Sequence, residues 1–348
     1  MQPKGYIQIE LTSRCNLSCA ACPHGVDSVK LQERDMPVEV FEQMVDATIR
    51  PGRHYHLQGW GEPLLRKDLP DLARFVADRG GLPSVTTNGT LITADLAENL
   101  VQAGLDFITI SLAAGRPDIQ RENRPGAELQ TILEAFRKLK KAKKKHRRMR
   151  PRLVASFELT RAGIDSFGKA VKLLKKAGAE RVIAIHPILA STSAQEANLL
   201  IGLSDPGEKE TAMRALRRAS LAAMWRSISF YCEPLESKIM PVCREDPLCS
   251  LFVGASGDIS PCAFLGLPVA ESFTARYLGW QVKRDRVSMG NLRQSRIAEI
   301  WDSREYRAFR QAYLARKVEA EQKGPLLGVE LESPLPDPCR GCIRALGY

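Results

Sequence analysis

Short apolar runs alternate with stretches of helical periodicity through roughly the first two hundred residues. The runs predict strands at Tyr6–Leu11, His54–Leu57, Ser84–Thr86, Phe107–Leu112, Leu153–Glu158 and Arg181–Ile188. Between them, apolar positions three and four apart predict helices at Pro37–Ile49, Leu69–Arg79, Ala94–Ala103, Leu129–Lys145 and Ser166–Ala177. Gly104 and Gly178 stand where two of these helices should stop, and Pro37 suits a first helical turn. Repeated βα units imply a parallel sheet covered by helices. Six units are too few for an eight-stranded barrel, so the expected fold is α/β, a partial (β/α)6 TIM-like barrel over residues 1–200.

The rhythm then changes. Residues 201–242 keep a helical pattern (Met213, Leu216, Leu221, Met224, Trp225) between the turn signals Asp205-Pro206-Gly207 and Pro241, which reads as a helical linker. Residues 243–348 are turn-rich with short strands, read as a smaller α+β domain that holds five of the nine cysteines.

Composition refines this picture in two places. The chain has no signal-peptide apolar core and no run long enough to cross a bilayer. A cytoplasmic, reducing location is therefore expected, where nine cysteines are better read as metal ligands than as disulfides. The net charge of +11 is local: ten of the fifteen residues from Lys138 to Arg152 are Lys or Arg and none is acidic, which leaves about +1 elsewhere. That segment continues a helical pattern (Ile132, Leu133, Phe136, Leu139) and reads as the solvated end of a peripheral helix. It lacks the aromatic residues that stack on bases, so nucleic acid is disfavoured as a partner.

The candidate chemistry lies in cysteines. Cys15, Cys19 and Cys22 form a C-x3-C-x2-C run directly after the first strand. A [4Fe-4S] cluster normally takes four cysteines, so three leave one iron open to another ligand. The spacing is not that of zinc ribbons or zinc fingers. A second set, Cys249, Cys262, Cys339 and Cys342, supplies four thiolates that suit either a fully ligated iron–sulfur cluster or a structural zinc. Cys232 and Cys243 are left as buried free thiols, with Cys243 an alternative ligand to its neighbour Cys249. After the second strand comes Gly59-Trp60-Gly61-Glu62-Pro63, where glycine permits close backbone approach and Glu62 could accept hydrogen bonds from a bound ammonium. His54, His56 and His186 lie on or near strands and are candidates for the barrel interior.

On these residues the sequence resembles the radical S-adenosylmethionine (SAM) enzymes: Cys15, Cys19 and Cys22, the Gly61-Glu62-Pro63 element, Thr87-Asn88-Gly89-Thr90 after the third strand and Ile110-Ser111-Leu112 ending the fourth. The resemblance implies a SAM-binding [4Fe-4S] cluster on the three cysteines, with reductive cleavage of SAM to a 5′-deoxyadenosyl radical that abstracts hydrogen. It further implies that Gly61 and Glu62 hold the methionine amino group and that Asn88 and Ser111 lie at the cofactor, Ser111 near the ribose. Two positions depart from many relatives: Ala21 replaces an aromatic residue, and Ala113-Ala114 stand where an Asp is common. The C-terminal cysteines, with Met289-Gly290-Asn291-Leu292 and Ile300-Trp301, are similar to the SPASM/Twitch extension, which implies an auxiliary [4Fe-4S] cluster on Cys249, Cys262, Cys339 and Cys342. Further cysteines of a full SPASM domain do not follow Cys342, so one auxiliary cluster is expected.

The leading expectation is thus a radical SAM oxidoreductase that matures a peptide or protein, with the auxiliary cluster as electron acceptor. A reducing partner such as flavodoxin or ferredoxin is implied, and no membrane. The Gly-Trp-Gly-Glu-Pro-Leu-Leu wording also resembles maturases of tungsten-cofactor oxidoreductases. The chain enters its first strand at Tyr6 without a preceding leader-recognition domain, which weighs against a ribosomal-peptide substrate. Two alternatives stand beside this reading: a small-molecule dehydrogenase of the same chemistry, and a zinc-stabilised RNA-binding module using Lys138–Arg152.

Overall fold

The computed structural model describes residues 3–187, 189–238, 240–270, 272–324 and 331–348. The barrel half runs β1 (Ile7–Ile9), α1 (Val38–Thr48), β2 (His54–His56), α2 (Leu69–Asp78), β3 (Leu82–Thr87), α3 (Ala94–Gln102) and β4 (Phe107–Leu112). It continues through α4 (Pro117–Asn123), α5 (Leu129–Lys145), β5 (Arg152–Glu158), α6 (Phe167–Ala177), β6 (Arg181–Ile185), α7 (Ser193–Ala197), α8 (Pro206–Met224) and β7 (Ser229–Cys232). The remainder holds β8 (Leu251–Val253), β9 (Ile259–Ser260), the hairpin β10 (Phe273–Tyr277) with β11 (Trp280–Arg284), α9 (Ile297–Trp301) and α10 (Arg304–Lys323).

One sheet carries the molecule, in the order β7-β6-β5-β4-β3-β2-β1-β8-β9. Its pairs are parallel except for the last, β8 with β9. Strand side chains alternate. Ile7, Ile9, Val85, Ile108, Ile110, Ala155 and Val182 are buried in the apolar core, while Gln8, His56, Thr86, Thr109, Ser111 and Ser156 line a cavity inside the barrel. The helices contribute complementary stripes, such as Val40, Phe41, Met44 and Val45 of α1 and Ile132, Leu133, Phe136 and Leu139 of α5. Gly178 ends α6 in the left-handed region, at φ 116°, where glycine carries no side-chain penalty.

Three sequence expectations change. The sixth strand stops at Ile185, and Ile188, its expected end, lies outside the described residues. The stretch read as a linker holds α8, packed on α6, and β7, paired with β6 at the sheet edge. Its buried stripe is alanine (Ala212, Ala215, Ala219, Ala222, Ala223), a face too short in side chain to announce itself as core. Finally, β8 comes from the C-terminal part yet pairs with β1, so this part of the chain closes over the barrel's open side.

The basic run ends α5, and several of its charges are paired: Lys143 with Glu180 at 2.5 Å, Lys145 with Glu98 at 2.7 Å, and Arg150 with Asp106. Among the described residues, no helix is long and apolar enough to cross a membrane.

Candidate functional site

The loops that leave β1, β2 and β3 meet at the carboxyl ends of the strands, where a parallel βα fold gathers its functional groups. Gly61 packs against the backbone that leads into Cys15: a Cβ there would run into the carbonyl oxygens of Thr12 and Arg14. The Glu62 N–H donates to the Arg14 carbonyl at 2.8 Å. Asn88, after β3, donates from Nδ2 to Asn16 Oδ1 at 2.9 Å, and Asn16 Nδ2 in turn donates to Thr90 Oγ1 at 3.0 Å. The three loops are sewn together.

The Glu62 carboxylate is held by hydrogen bonds from both loops. Its Oε1 accepts from Thr87 Oγ1 at 2.6 Å and Leu64 N at 3.0 Å, and its Oε2 accepts from Asn88 N at 2.7 Å. The side chain is buried and acts as a clamp between the β2 and β3 loops. The short Gly-Glu-Pro turn makes Glu62 the cap of the helical turn that follows.

Cys15, Cys19 and Cys22 lie close enough to act on one another electrostatically, and burial pushes their thiols up, Cys15 to about 11 and Cys22 to about 12. Behind Cys19 stands a pair that sequence reasoning missed, Arg124 at the end of α4 and Glu158 at the end of β5. Arg124 Nη1 is 3.5 Å from Glu158 Oε1, both groups are shielded from water, and the guanidinium lies within interaction reach of Cys19. Arg124 Nε and Nη1 and Glu158 Oε2 lack a hydrogen-bond partner. A polar Arg-Pro-Gly turn and a strand-end glutamate carried no signal that they would meet. The cysteine loop is further held by Asn123, whose carbonyl accepts from Ala20 N at 2.8 Å.

Below this mouth, the barrel encloses a cavity of about 620 Å³. Ser111 lines it, beside Ser156 on the next strand, as do His54 and His56. His56 bonds Ser84 Oγ at 2.9 Å and Thr86 Oγ1 at 3.2 Å, and burial lowers its pKa to about 4, so the ring is neutral in the physiological range. His186 lies elsewhere, its Nε2 on the Pro234 carbonyl at 2.8 Å.

The second cysteine set differs from expectation. Cys243, Cys262, Cys339 and Cys342 line one cavity; Cys249 does not. Spacing favoured Cys249 as the ligand, whereas the loop turns Cys243 toward the cavity. The Asp246 N–H donates to the Cys243 carbonyl and the Cys249 N–H to the Asp246 carbonyl, two turns that send Cys243 inward. Cys249 instead sits under the start of β1, its carbonyl accepting from Gly5 N at 2.8 Å, with Asp246, Lys4 and Lys317 as its charged neighbours. Cys232 stands apart, its thiol on the Glu233 carbonyl at 3.2 Å. All nine cysteines are free. Among the described residues, no group of three or more His, Cys, Asp or Glu side chains is gathered to hold a single metal ion, as zinc with its bonds of about 2.3 Å would require. A cluster sets each thiolate on its own iron and needs a wider cage.

The two cavities share a wall. Trp60, Glu245, Phe264 and Arg344 line both. Trp60 follows Gly59 in the loop after β2 and donates from Nε1 to the Ala263 carbonyl, next to Cys262, at 2.8 Å.

Comparison with known families decides the class. The model of the radical SAM superfamily matches residues 9–150, and that of the SPASM iron–sulfur cluster-binding domain matches residues 243–343. The chain is a radical SAM protein with a SPASM domain. It is 24% identical over 88% of its length to the tungsten-containing aldehyde ferredoxin oxidoreductase cofactor-modifying protein of Pyrococcus furiosus, covering 83% of that protein. It is 32% identical over 52% of its length to the PqqA peptide cyclase of Streptomyces rochei, of which it covers 47%. Among solved structures, anSMEcpe with bound AdoMet and Cp18Cys peptide superposes with a TM-score of 0.63 over 93% of this chain and 86% of that one, at 19% identity. SuiB of Streptococcus suis bound to precursor peptide SuiA gives 0.61 over 89% and 67%, at 14% identity. At these identities the structures establish the fold, an α/β partial barrel.

A radical SAM protein is an enzyme, and the two domains imply a [4Fe-4S] cluster, SAM and auxiliary iron–sulfur. The zinc-stabilised RNA-binding reading falls with this assignment. The residues present fit these groups. Near the mouth, three thiols stand beside a buried guanidinium with unpartnered nitrogens. In the cage, four thiols from three segments are joined by Arg284 and Arg344, cations that offset the negative charge of a thiolate-ligated cluster.

Proposed function

We propose that this enzyme is a maturase: a radical SAM oxidoreductase that takes hydrogen from a peptide or protein side chain and passes the remaining electron to one auxiliary cluster. The observation that carries the reading is the shared wall: a group seated in the barrel cavity has the cysteine mouth above it and the four-cysteine cage beside it. When bound, the cluster and SAM supply reductive cleavage and a radical that abstracts hydrogen, and the auxiliary cluster supplies an electron acceptor.

The chain's own residues do the rest. Cys15, Cys19 and Cys22 release their protons to hold the first cluster, and Cys243, Cys262, Cys339 and Cys342 hold the second. Gly61 and Glu62, in the turn after β2, meet the amino group of SAM. Arg124 is the cation available to its carboxylate, and Ser111 and Asn88 stay candidates for the nucleoside side. Trp60 and Phe264, edge to face with centroids 6.0 Å apart, separate cavity from cage and keep water from bridging them. Hydroxyls and the neutral His56 ring line the cavity for a polar group, with Glu245 and Arg344 at the wall it shares with the cage.

The peptide assignment draws support from relatives whose names and ligands are peptides. A second reading, a small molecule, draws support from the cavity volume, which lies in the range of small-ligand sites, and from the cofactor-modifying relative. Deuterium transfer into 5′-deoxyadenosine separates them. Label arriving from a candidate polypeptide and not from free small molecules supports the maturase; label arriving from a small molecule alone overturns it. We place the enzyme in the cytoplasm with flavodoxin or ferredoxin as reductant, a reading supported by its nine free thiols.

A further inference from the structure

Tyr313 is fully buried on α10 and lines the four-cysteine cavity. Its hydroxyl satisfies no hydrogen bond within the protein, yet it lies within interaction reach of two sulfurs, those of Cys243 and Cys339. A buried hydroxyl without a partner is costly, and one aimed at thiols has its acceptors when those thiols become thiolates. The placement is enforced rather than incidental. Arg316, one turn along the same helix, donates to the carbonyls of Pro241 at 3.3 Å and Met240 at 3.5 Å. That clamp fixes the strand of chain entering Cys243 against the face that carries Tyr313.

We infer that Tyr313 is a positioning residue for the auxiliary cluster, donating its hydroxyl proton to the Cys243 and Cys339 thiolates and so raising the cluster's reduction potential. The inference rests on the cluster assignment given above. One-electron reduction adds negative charge that spreads onto the ligand sulfurs, so a donor to those sulfurs stabilises the reduced form more than the oxidised one. The hydroxyl thereby favours electron acceptance, the direction that a substrate oxidation needs.

The experiment is a redox titration of the auxiliary cluster followed by electron paramagnetic resonance. It uses full-length protein carrying Cys15→Ala, Cys19→Ala and Cys22→Ala, so that a single cluster reports. Adding Tyr313→Phe keeps the ring and removes only the hydroxyl. The expected result is a roughly tenfold loss in the reduced-to-oxidised ratio at fixed potential, about 59 mV for one electron. Tyr306→Phe is the control: its hydroxyl is also buried and partnerless, but the residue does not line the cavity. An unchanged potential in Tyr313→Phe, or equal shifts in both variants, overturns the inference. Electron–nuclear double resonance on the unsubstituted tyrosine supplies a test that needs no variant fold: an exchangeable proton coupled to the cluster is expected, and its absence overturns the inference. Protein with no iron in the cage would instead sink the cluster assignment itself.

Discussion

At the level of single residues, Cys243 and Cys249 carry the sharpest contrast in the molecule. They are six positions apart and both thiols, and spacing made Cys249 the expected ligand with Cys243 its alternative. Two consecutive turns at Asp246 decide between them, burying Cys243 against Tyr313 and leaving Cys249 beside lysines. Replacing Cys249 with Ala should therefore leave iron content and the auxiliary-cluster spectrum unchanged. Cys243→Ala should remove about half of the iron in reconstituted protein, measured by colorimetric iron and sulfide assays. The reverse pattern would return Cys249 to the cage. Glu62 teaches the same lesson from the other side. Its residue type and motif were legible, but two of the three donors to its carboxylate, Thr87 and Asn88, come from a neighbouring loop that spacing alone does not bring near.

At the level of elements, Glu10 shows what joins the parts. It extends from the end of β1, accepts from Trp60 N at 2.7 Å and from Ala255 N at 3.1 Å, and so ties the β2 loop to the turn between β8 and β9. Burial raises its pKa from 4.5 to about 7. A carboxyl whose folded pKa is raised binds its proton more tightly when folded. Its contribution is greatest below pH 4.5 and is lost as pH rises through about 7, a change of about 3 kcal/mol. Thermal unfolding of the apoprotein across pH 4.5 to 8 should show this falling slope, and Glu10→Gln should flatten it whatever its absolute cost. An equal slope in both proteins would show that Glu10 does not titrate in that window. The first six strands were legible because each is an apolar run bounded by helical periodicity. β7, β8 and β9 were not, being four, three and two residues long and defined by pairing with β6 and β1 rather than by their own pattern.

At the level of the whole molecule, the two cysteine sets belong to one frame, since β8 pairs with β1 and Trp60 reaches from the loop after β2 to the Ala263 carbonyl. A shared frame need not mean shared assembly. The mouth is built by loops after β1, β2 and β3, with Arg124 and Glu158 behind it, while the cage draws on Cys243, Cys262, Cys339, Cys342 and the face of α10. No residue supplies thiol to both. Replacing Cys15, Cys19 and Cys22 with Ala should therefore abolish reductive SAM cleavage while the auxiliary cluster still assembles. Replacing Cys339 and Cys342 should spare uncoupled 5′-deoxyadenosine formation and stop substrate turnover. Chromatographic assay of 5′-deoxyadenosine with and without substrate, run beside iron counts, reads both. Loss of uncoupled cleavage in the cage variant, with the first cluster still present, would mean that the cage governs the geometry of the mouth. The connection through Trp60 would then be mechanical, carrying strain between the loops, and not only a partition between cavity and cage.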